Sequence, residues 1–534
     1  MPSLRSSDDG EIPLALLTPR AAAPRALAAA IGLGVVGDLL LFGQPLGLNL
    51  LALVAALLAS VAWMARRTGR PLTLGAALLG ALALAFAGAA AWRDAPTLVA
   101  LDVLALLTVL CALVPAVLHG DALEVERAGP LAYVAGAAST GARVAFGAPV
   151  LAARAIEAAP LPTSAALAGL GTLARGGLIA SPVLLVFALL LVSADAAFER
   201  LLGRVFGWDG GLLAEHLLAI GLLSWGAAGL LYASLFDRRT RRDPSLPDAL
   251  TSTGLAARAR LHDLGVGVRE MAVAVGLVDV LLLGFGALQL RWLFGGAGAL
   301  ATAGVTVAEY ARSGFFELAA VAALVLPLLL VAHGVAGAEA MARESPSRAQ
   351  RAFQLAAGVL VALVLVLLLS AADRMRLYLD AFGLTQARFY ASALIVWLGL
   401  VFAWAAATLL RGRAAPFALG TLVSAWAMVL ALQAVDPDAR IAGVNLDRAA
   451  AGRELDAAYL GGLSADAAPA LARRAPGLLA THPDPAVRCA LRSTLHAAAL
   501  RAGRPGDWRG WSLSRARARR HLPRWASDPS SRCA

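Results

Sequence analysis

The chain runs to 534 residues, 59% of them hydrophobic and only 15% charged, with a mean hydropathy of +0.73. Soluble domains carry about a quarter charged residues, so these values exclude an ordinary water-soluble protein. The net charge of +11 comes from 46 basic residues, all of them arginine. They fall mostly in short segments between apolar runs, where the positive-inside rule places them, and nucleic acid is not an expected partner.

Residues 1–20 are polar and mixed in charge, without the charge-then-core order of a cleaved leader. Four apolar runs follow within residues 21–118, at 21–42, 46–64, 72–92 and 97–118. Each is close to the roughly twenty residues that cross a bilayer as a helix. Arg66, Arg67 and Arg70 follow the second run, and the turn Arg93-Asp94-Ala95-Pro96 joins the third to the fourth. Residues 119–175 break the pattern with charges at Asp121, Glu124, Glu126, Arg127, Arg143, Arg154 and Glu157. They read as amphipathic helices at the cytoplasmic interface, with a glycine-broken span as the competing reading. A core membrane region, 176–435, supplies seven more runs: 176–194, 212–236, 271–294, 313–333, 353–372, 389–410 and 417–435.

Beyond Asp436 the chain turns polar. Residues 436–534 hold sixteen arginines against nine acids, with apolar positions at near-helical spacing. Pro476, Pro483, Pro485 and Pro505 are expected to cut this tail into short helices. The stretch should be weakly stable alone and should dock on the bundle or the headgroups through Tyr459, Leu463, Trp508 and Trp511. The basic cluster DRRTRRD (237–243) marks the cytoplasmic side. With the N-terminus inside, cytoplasmic segments hold about twenty-two arginines and outer ones about eight, excluding the tail. Eleven spans then place the tail outside the cell. Cys111 lies in an apolar run, and Cys489 and Cys533 lie in the tail. There is no CxxC and no metal-ligand spacing, so no metal or other cofactor is expected, and a Cys489–Cys533 disulfide is left open.

Acids inside apolar runs are the candidate functional residues, because lipid tolerates them only with a partner, a water-filled cavity or a proton. Asp279 shares a helical face with Gly276, Leu283 and Gly286, where small residues would let another helix approach. Tyr310, Ser313 and Glu317 fall on one face, and Glu309 meets Arg312 at i+3 as an interfacial pair. Asp279 and Glu317 form the candidate intramembrane site, at different depths, with about 10 Å of vertical separation. Asp102, Asp195, Gln289 and His333 are secondary candidates. Asp38 and Asp102 lie near span ends within reach of water, which favours a structural role, and His333 sits at headgroup level. The sequence lacks GxxxxGK[ST], HExxH and GxSxG, so the common phosphate-loop, zinc-protease and serine-hydrolase signatures are missing.

Six stretches together resemble a known family of bacterial multi-pass membrane proteins catalogued only as a domain of unknown function. They are PVLLVFALLLVSADAAFERLLG (182–203), QLRWLFGG (289–296), EYARSGFFELAAVAALVLP (309–327), AFGLTQARFYASALIVWLG (381–399), DPDARIAGVNLDRA (436–449) and DAAYLGGLSADAAPAL (456–471). Asp436 stands where that family usually has asparagine. The resemblance implies an inner-membrane protein with a terminal helical segment, and it supplies no substrate, cofactor or catalytic residue.

The expected fold is all-α: a polytopic integral membrane bundle of about eleven transmembrane helices with a small helical C-terminal tail. The expected setting is the bacterial cytoplasmic membrane, with the lipid bilayer as partner and a protein partner or membrane surface met through the tail. The leading functional reading is a sensory, regulatory or envelope-accessory protein without enzymatic activity. A proton- or ion-coupled transporter using Asp279 and Glu317, and an integral enzyme acting on lipid, are the alternatives.

Overall fold

The computed structural model describes residues 19–70, 72–119, 130–158, 211–236, 267–302, 315–341, 347–504 and 506–526, and among them helices are the only regular structure. An N-terminal half contains α1 (Pro19–Leu41), α2 (Leu48–Arg67), α3 (Leu74–Trp92), α4 (Pro96–His119), α5 (Pro130–Ala158) and α6 (Gly211–Leu235). A C-terminal half contains α7 (Val268–Thr302), α8 (Phe315–Met341), α9 (Arg348–Phe382), α10 (Gln386–Ala407) and α11 (Ala414–Val435). Among the described residues ten of these helices, all but α5, are long and apolar enough to cross a membrane. The protein is therefore a polytopic helical membrane bundle. Ten of the eleven expected runs coincide with these helices, and the eleventh, 176–194, lies outside the described residues.

The two ends of the bundle are chemically distinct. At the far end, the start of α1 (Ala22, Ala23, Ala26) packs with the ends of α2 (Met64, Ala65), α4 (Val117) and α6 (Leu235, Phe236) in an alanine-rich core. Small residues let the backbones approach closely in the N-terminal half. A Cβ on Gly34 would meet Ser224 Oγ at 1.9 Å, and one on Gly229 would meet the Val144 carbonyl oxygen at 1.9 Å. Neither glycine can be enlarged without moving a helix.

Within the segment 119–175, residues 130–158 form the single helix α5, lying alongside α6 and running in the same direction. The Trp225 indole donates to the Ala145 carbonyl at 2.8 Å, and Arg154 donates to the Phe236 carbonyl at 3.0 Å. Both α4 and α5 finish at the far end, beside the end of α6.

The tail folds as a cap over the opposite end, through α12 (Pro437–Ala450), α13 (Ala457–Gly461), α14 (Ala468–Thr481), α15 (Pro485–Gly503), α16 (Leu513–His521) and α17 (Pro523–Ala526). It has a core of its own around Ile441, Leu446, Leu471, Leu491 and Leu495. One expected break is absent. Pro476 lies inside α14 without ending it, because Ala475 and Leu478 on either side are buried in that core and packing outweighs the single hydrogen bond the ring removes. Pro485 takes the first position of α15, where its missing N–H is harmless, and Pro505 lies outside the described residues.

Two junctions fix the cap to the C-terminal half. Asp436 ends α11 and starts α12 at φ 56°, and its side chain accepts from the Ala439 N–H. That left-handed backbone and that N-cap suit aspartate or asparagine almost equally. The second junction is the end of α9, whose 35 residues span about 52 Å against a hydrocarbon core of about 30 Å. The excess reaches the cap and stops at Gly383, φ 75°. A Cβ there would also lie 2.5 Å from Asn445 Oδ1, so glycine is required on both counts. Asn445 accepts from the Leu384 N–H at 2.9 Å and donates to its carbonyl at 2.7 Å. Arg448 donates to the terminal carbonyls of Asp380 and Ala381.

Candidate functional site

The densest polar cluster lies under the cap, where both halves of the bundle meet it. Its centre is Arg93, in the turn between α3 and α4, with 5% of its surface exposed. Arg93 donates to the Gln433 carbonyl near the end of α11 and to the Asp436 carboxylate, and Asp466 Oδ1 lies 3.8 Å away. The Gln433 carboxamide Nε2 is 2.7 Å from each oxygen of Asp102, a residue of α4 that is 0% exposed. An arginine and an acid of the N-terminal half are thus tied through one glutamine to the C-terminal half.

Asp466 ties the cap to the same turn. Its Oδ2 accepts from the backbone N–H groups of Asp94 and Ala95, both at 2.8 Å, and from the Ser464 hydroxyl at 3.2 Å. Its Oδ1 accepts from the Ser514 hydroxyl, which also donates to the Trp92 carbonyl. The carboxylate therefore caps α4 from outside that helix, where unsatisfied N–H groups and the helix dipole both favour an anion. Asp94 in return pairs with Arg515 at 2.6 Å and accepts from the Ala465 N–H. Asp438, 0% exposed, accepts from Gln386 Nε2 at 2.8 Å and from the Ser464 N–H at 2.9 Å. The Tyr459 hydroxyl accepts from the Gln386 N–H at 2.7 Å.

Acids outnumber bases here: Asp94, Asp102, Asp436, Asp438 and Asp466 face Arg93 and Arg515. Burial, reinforced by the negative charge of Asp466 and opposed by Arg93, holds the Asp436 carboxyl above the usual carboxylate range. Burial likewise raises the Tyr459 hydroxyl. The Tyr390 hydroxyl lies within electrostatic reach of Asp438, Asp466, Asp102 and Asp436. Among the described residues this buried hydroxyl and Gln433 Oε1 have no hydrogen-bond partner. Such a cluster can hold and exchange protons and can couple three parts of the chain. Among the described residues, no three His, Cys, Asp or Glu side chains are placed to hold a metal ion.

Of the sequence-derived site candidates, Asp102 joins this cluster, and the other described ones fall elsewhere. Asp279 on α7 is 6% exposed, and its Oδ1 has no partner among the described residues. Its face differs from the glycine face expected. Among the described residues, a Cβ on Gly276 or Gly286 would meet nothing within 4 Å, and Leu283 is half exposed. Asp279 instead continues the buried stripe Val268, Val275 and Leu282, which packs on α8 and α9. Glu317 lies in the first turn of α8, and His333 lies near the other end of the same helix; Gln289 is in α7. Glu309, Tyr310, Arg312, Ser313 and Asp195 lie outside the described residues, and the proposed polar face lies there with them.

Asp38 and Asp102 were expected within reach of water, and both are buried, because the cap and α6 cover that end of the bundle. Asp38 pairs with His216 of α6 at 2.8 Å, and the Phe42 ring lies 3.8 Å from the histidine ring. In the tail, Leu463 is buried in the cap core, while Trp508 is 62% and Trp511 43% exposed beside the α1–α2 turn. There the Leu48 N–H donates to the Trp511 carbonyl at 3.0 Å, and Arg509 donates to the Leu39 carbonyl. Cys111 is free; Cys489 is disulfide-bonded, and its partner lies outside the described residues.

Sequence reasoning placed Asp102 among secondary candidates and missed Arg93, Gln433, Asp438 and Asp466. A usable signal existed: Gln433 interrupts an apolar run one turn before the Asp-Pro-Asp break, and Ser464-Ala465-Asp466 has the form of a capping turn.

Residues 77–474 match the family described as Domain of unknown function (DUF4153). No curated protein and no solved structure matches the chain.

Proposed function

The chain belongs to the DUF4153 family, whose match takes in about three-quarters of it and runs from α3 into the cap, and from that premise we propose a sensory or regulatory protein of the bacterial cytoplasmic membrane. In this reading the cap follows the relative packing of the two halves and passes it to a partner. The observation that carries it is the Arg93 cluster, in which one arginine is bonded to α11 and lies between two carboxylates, one at the α11–α12 junction and one in the cap. A shift of either half changes how those charges are compensated, and buried charges couple strongly to position. The family match ends inside the cap, in α14, which supports treating the cap as part of one unit with the bundle.

The orientation proposed is N-terminus in the cytoplasm and cap outside. The cap and the end of α6, which leads into DRRTRRD, lie at opposite ends of the bundle, and the positive-inside rule assigns that basic cluster to the cytoplasm. A disulfide at Cys489 agrees with an oxidising compartment for the cap. Single cysteines introduced at Thr68 and Arg453 should label from opposite sides of the membrane; labelling from one side would overturn the orientation.

The function is tested in a deletion strain, read by its envelope-stress transcription and its ion content. Complementation is compared for the wild type, for the Asn445→Ala/Arg448→Ala variant that loosens the cap, and for Asp279→Asn. The regulatory reading expects the loosened cap to fail at normal abundance and Asp279→Asn to complement. The reverse pattern would replace it with proton- or ion-coupled transport through Asp279.

A further inference from the structure

The cap holds a second feature that the junction does not use. A groove of about 390 Å³ opens between α14, α16 and α17, lined by Ala472, Arg473, Arg520, His521 and Pro523. Its polar side chains are cationic or hydrogen-bond donors, and among the described residues no acid lines it. Several other cap arginines have visible partners, although the side chains of Arg440, Arg453 and Arg517 are exposed without one among the described residues. Arg474 pairs with Asp447, Arg509 with Asp507, Arg515 with Asp94, and Arg519 donates to the carbonyls of Ala502 and Arg504. Arg473 and Arg520 make no ion pair or hydrogen bond among the described residues.

Local helix physics explains only half of this. Basic residues at the end of α16 answer the negative end of its dipole, which accounts for Arg519, Arg520 and His521. It does not account for Arg473, which comes from α14 and lines the same concavity. Two guanidinium groups from separate helices around one groove repel each other unless an anion lies between them. Guanidinium forks match phosphate oxygens in pairs, and the histidine adds a further N–H donor.

We propose that this groove is a binding site for a phosphate-bearing anion, with Arg473 and Arg520 as the clamping residues. The chemistry is shared by inorganic phosphate and by the headgroup of an anionic phospholipid. A lipid source has structural support: α16 begins beside the membrane end of α3, where Ser514 bonds Trp92, and its nine residues extend only about 14 Å from there. The inference does not depend on the cap having a regulatory role.

The test uses the full chain purified in uncharged detergent. Inorganic phosphate is titrated by calorimetry, and binding to vesicles of phosphatidylglycerol is compared with binding to phosphatidylcholine. Phosphate binding, or a preference for phosphatidylglycerol, should weaken about tenfold or more in Arg473→Ala/Arg520→Ala and stay unchanged in Arg453→Ala, an exposed cap arginine outside the groove. The Arg473→Glu variant places a carboxylate in the groove; it should abolish binding while raising the unfolding temperature in the absence of phosphate. Phosphate heat without vesicle preference identifies a soluble ligand, and vesicle preference alone identifies a lipid. Absence of both, or either one persisting in the two groove variants, overturns the proposal.

Discussion

The two ends of the bundle are held by different physics. At the far end, helices meet through alanine and glycine, and polar side chains serve mainly to reach chain-end carbonyls, as Arg70 does to Leu235 at 2.8 Å. At the cap end, buried charges and amides specify which groups must meet, through Arg93, Asp102, Gln433, Asp438 and Asp466. Packing contacts tolerate small shifts and fail by steric clash. A buried ionic cluster tolerates almost no loss of a member, because each one removed leaves others uncompensated. The cap end is therefore the place where a change of state can be felt.

Mutations can break that contrast. The largest effect is expected from Arg93→Ala, which leaves Asp436 and Asp466 without their shared cation and should lower stability by about 3–5 kcal/mol. The check is thermal unfolding of the detergent-solubilised chain; an unfolding temperature within a degree of wild type would show that the cluster is not held together by this residue. Next is the far-end type of contact. Gly229→Ala drives a Cβ into the Val144 carbonyl and should cost about 1–3 kcal/mol by overpacking. Gly221→Ala on the same helix meets open space and should be neutral or stabilising by up to about 1 kcal/mol. Equal losses in the two variants would remove the steric explanation.

Asn445→Ala removes both bonds to Leu384 and should cost about 1–2 kcal/mol. Proteolysis should show the cap released before the bundle unfolds; simultaneous cleavage would mean the cap and bundle remain one cooperative unit. The smallest effect concerns pH. Asp436 holds its proton more tightly folded than unfolded. Its contribution is therefore present below the ordinary carboxylate range and declines as pH rises through the raised value. Asp436→Asn keeps the cap of α12 and cannot titrate, so it should flatten that part of the stability profile. An unchanged slope would assign it to another acid.

Length and apolarity made most of the bundle legible, since a twenty-residue apolar run has few other uses. The cap's helices were legible from periodicity, and Tyr459, expected to dock, accepts from the Gln386 N–H at the start of α10. The acids beside it were not legible: Asp438 and Asp466 look like ordinary solvated residues until the turn 92–96 and α10 are seen beneath them. Arg93-Asp94-Ala95-Pro96 reads locally as a loop with a proline stop, and its partners lie some 340 to 420 positions away. Asp279 shows the opposite difficulty. Its burial is visible, yet among the described residues nothing lies within 4 Å of a Cβ at Gly276 or Gly286, so glycine spacing does not point to the helices that cover it. Pro476 illustrates how a strong local signal yields when apolar neighbours on both sides are buried.

The cap's contacts also set an order of manufacture. Leu39 and Arg509 are 470 positions apart, and Trp92 and Ser514 are 422. At roughly 5–20 residues per second, a ribosome finishes the cap tens of seconds after the first spans have been made. During that interval Arg93, Asp94 and Asp102 have no access to the partners that later surround them. A chain cut short before Gln433 would leave Arg93 and Asp102 without the glutamine that ties them to the other half of the bundle.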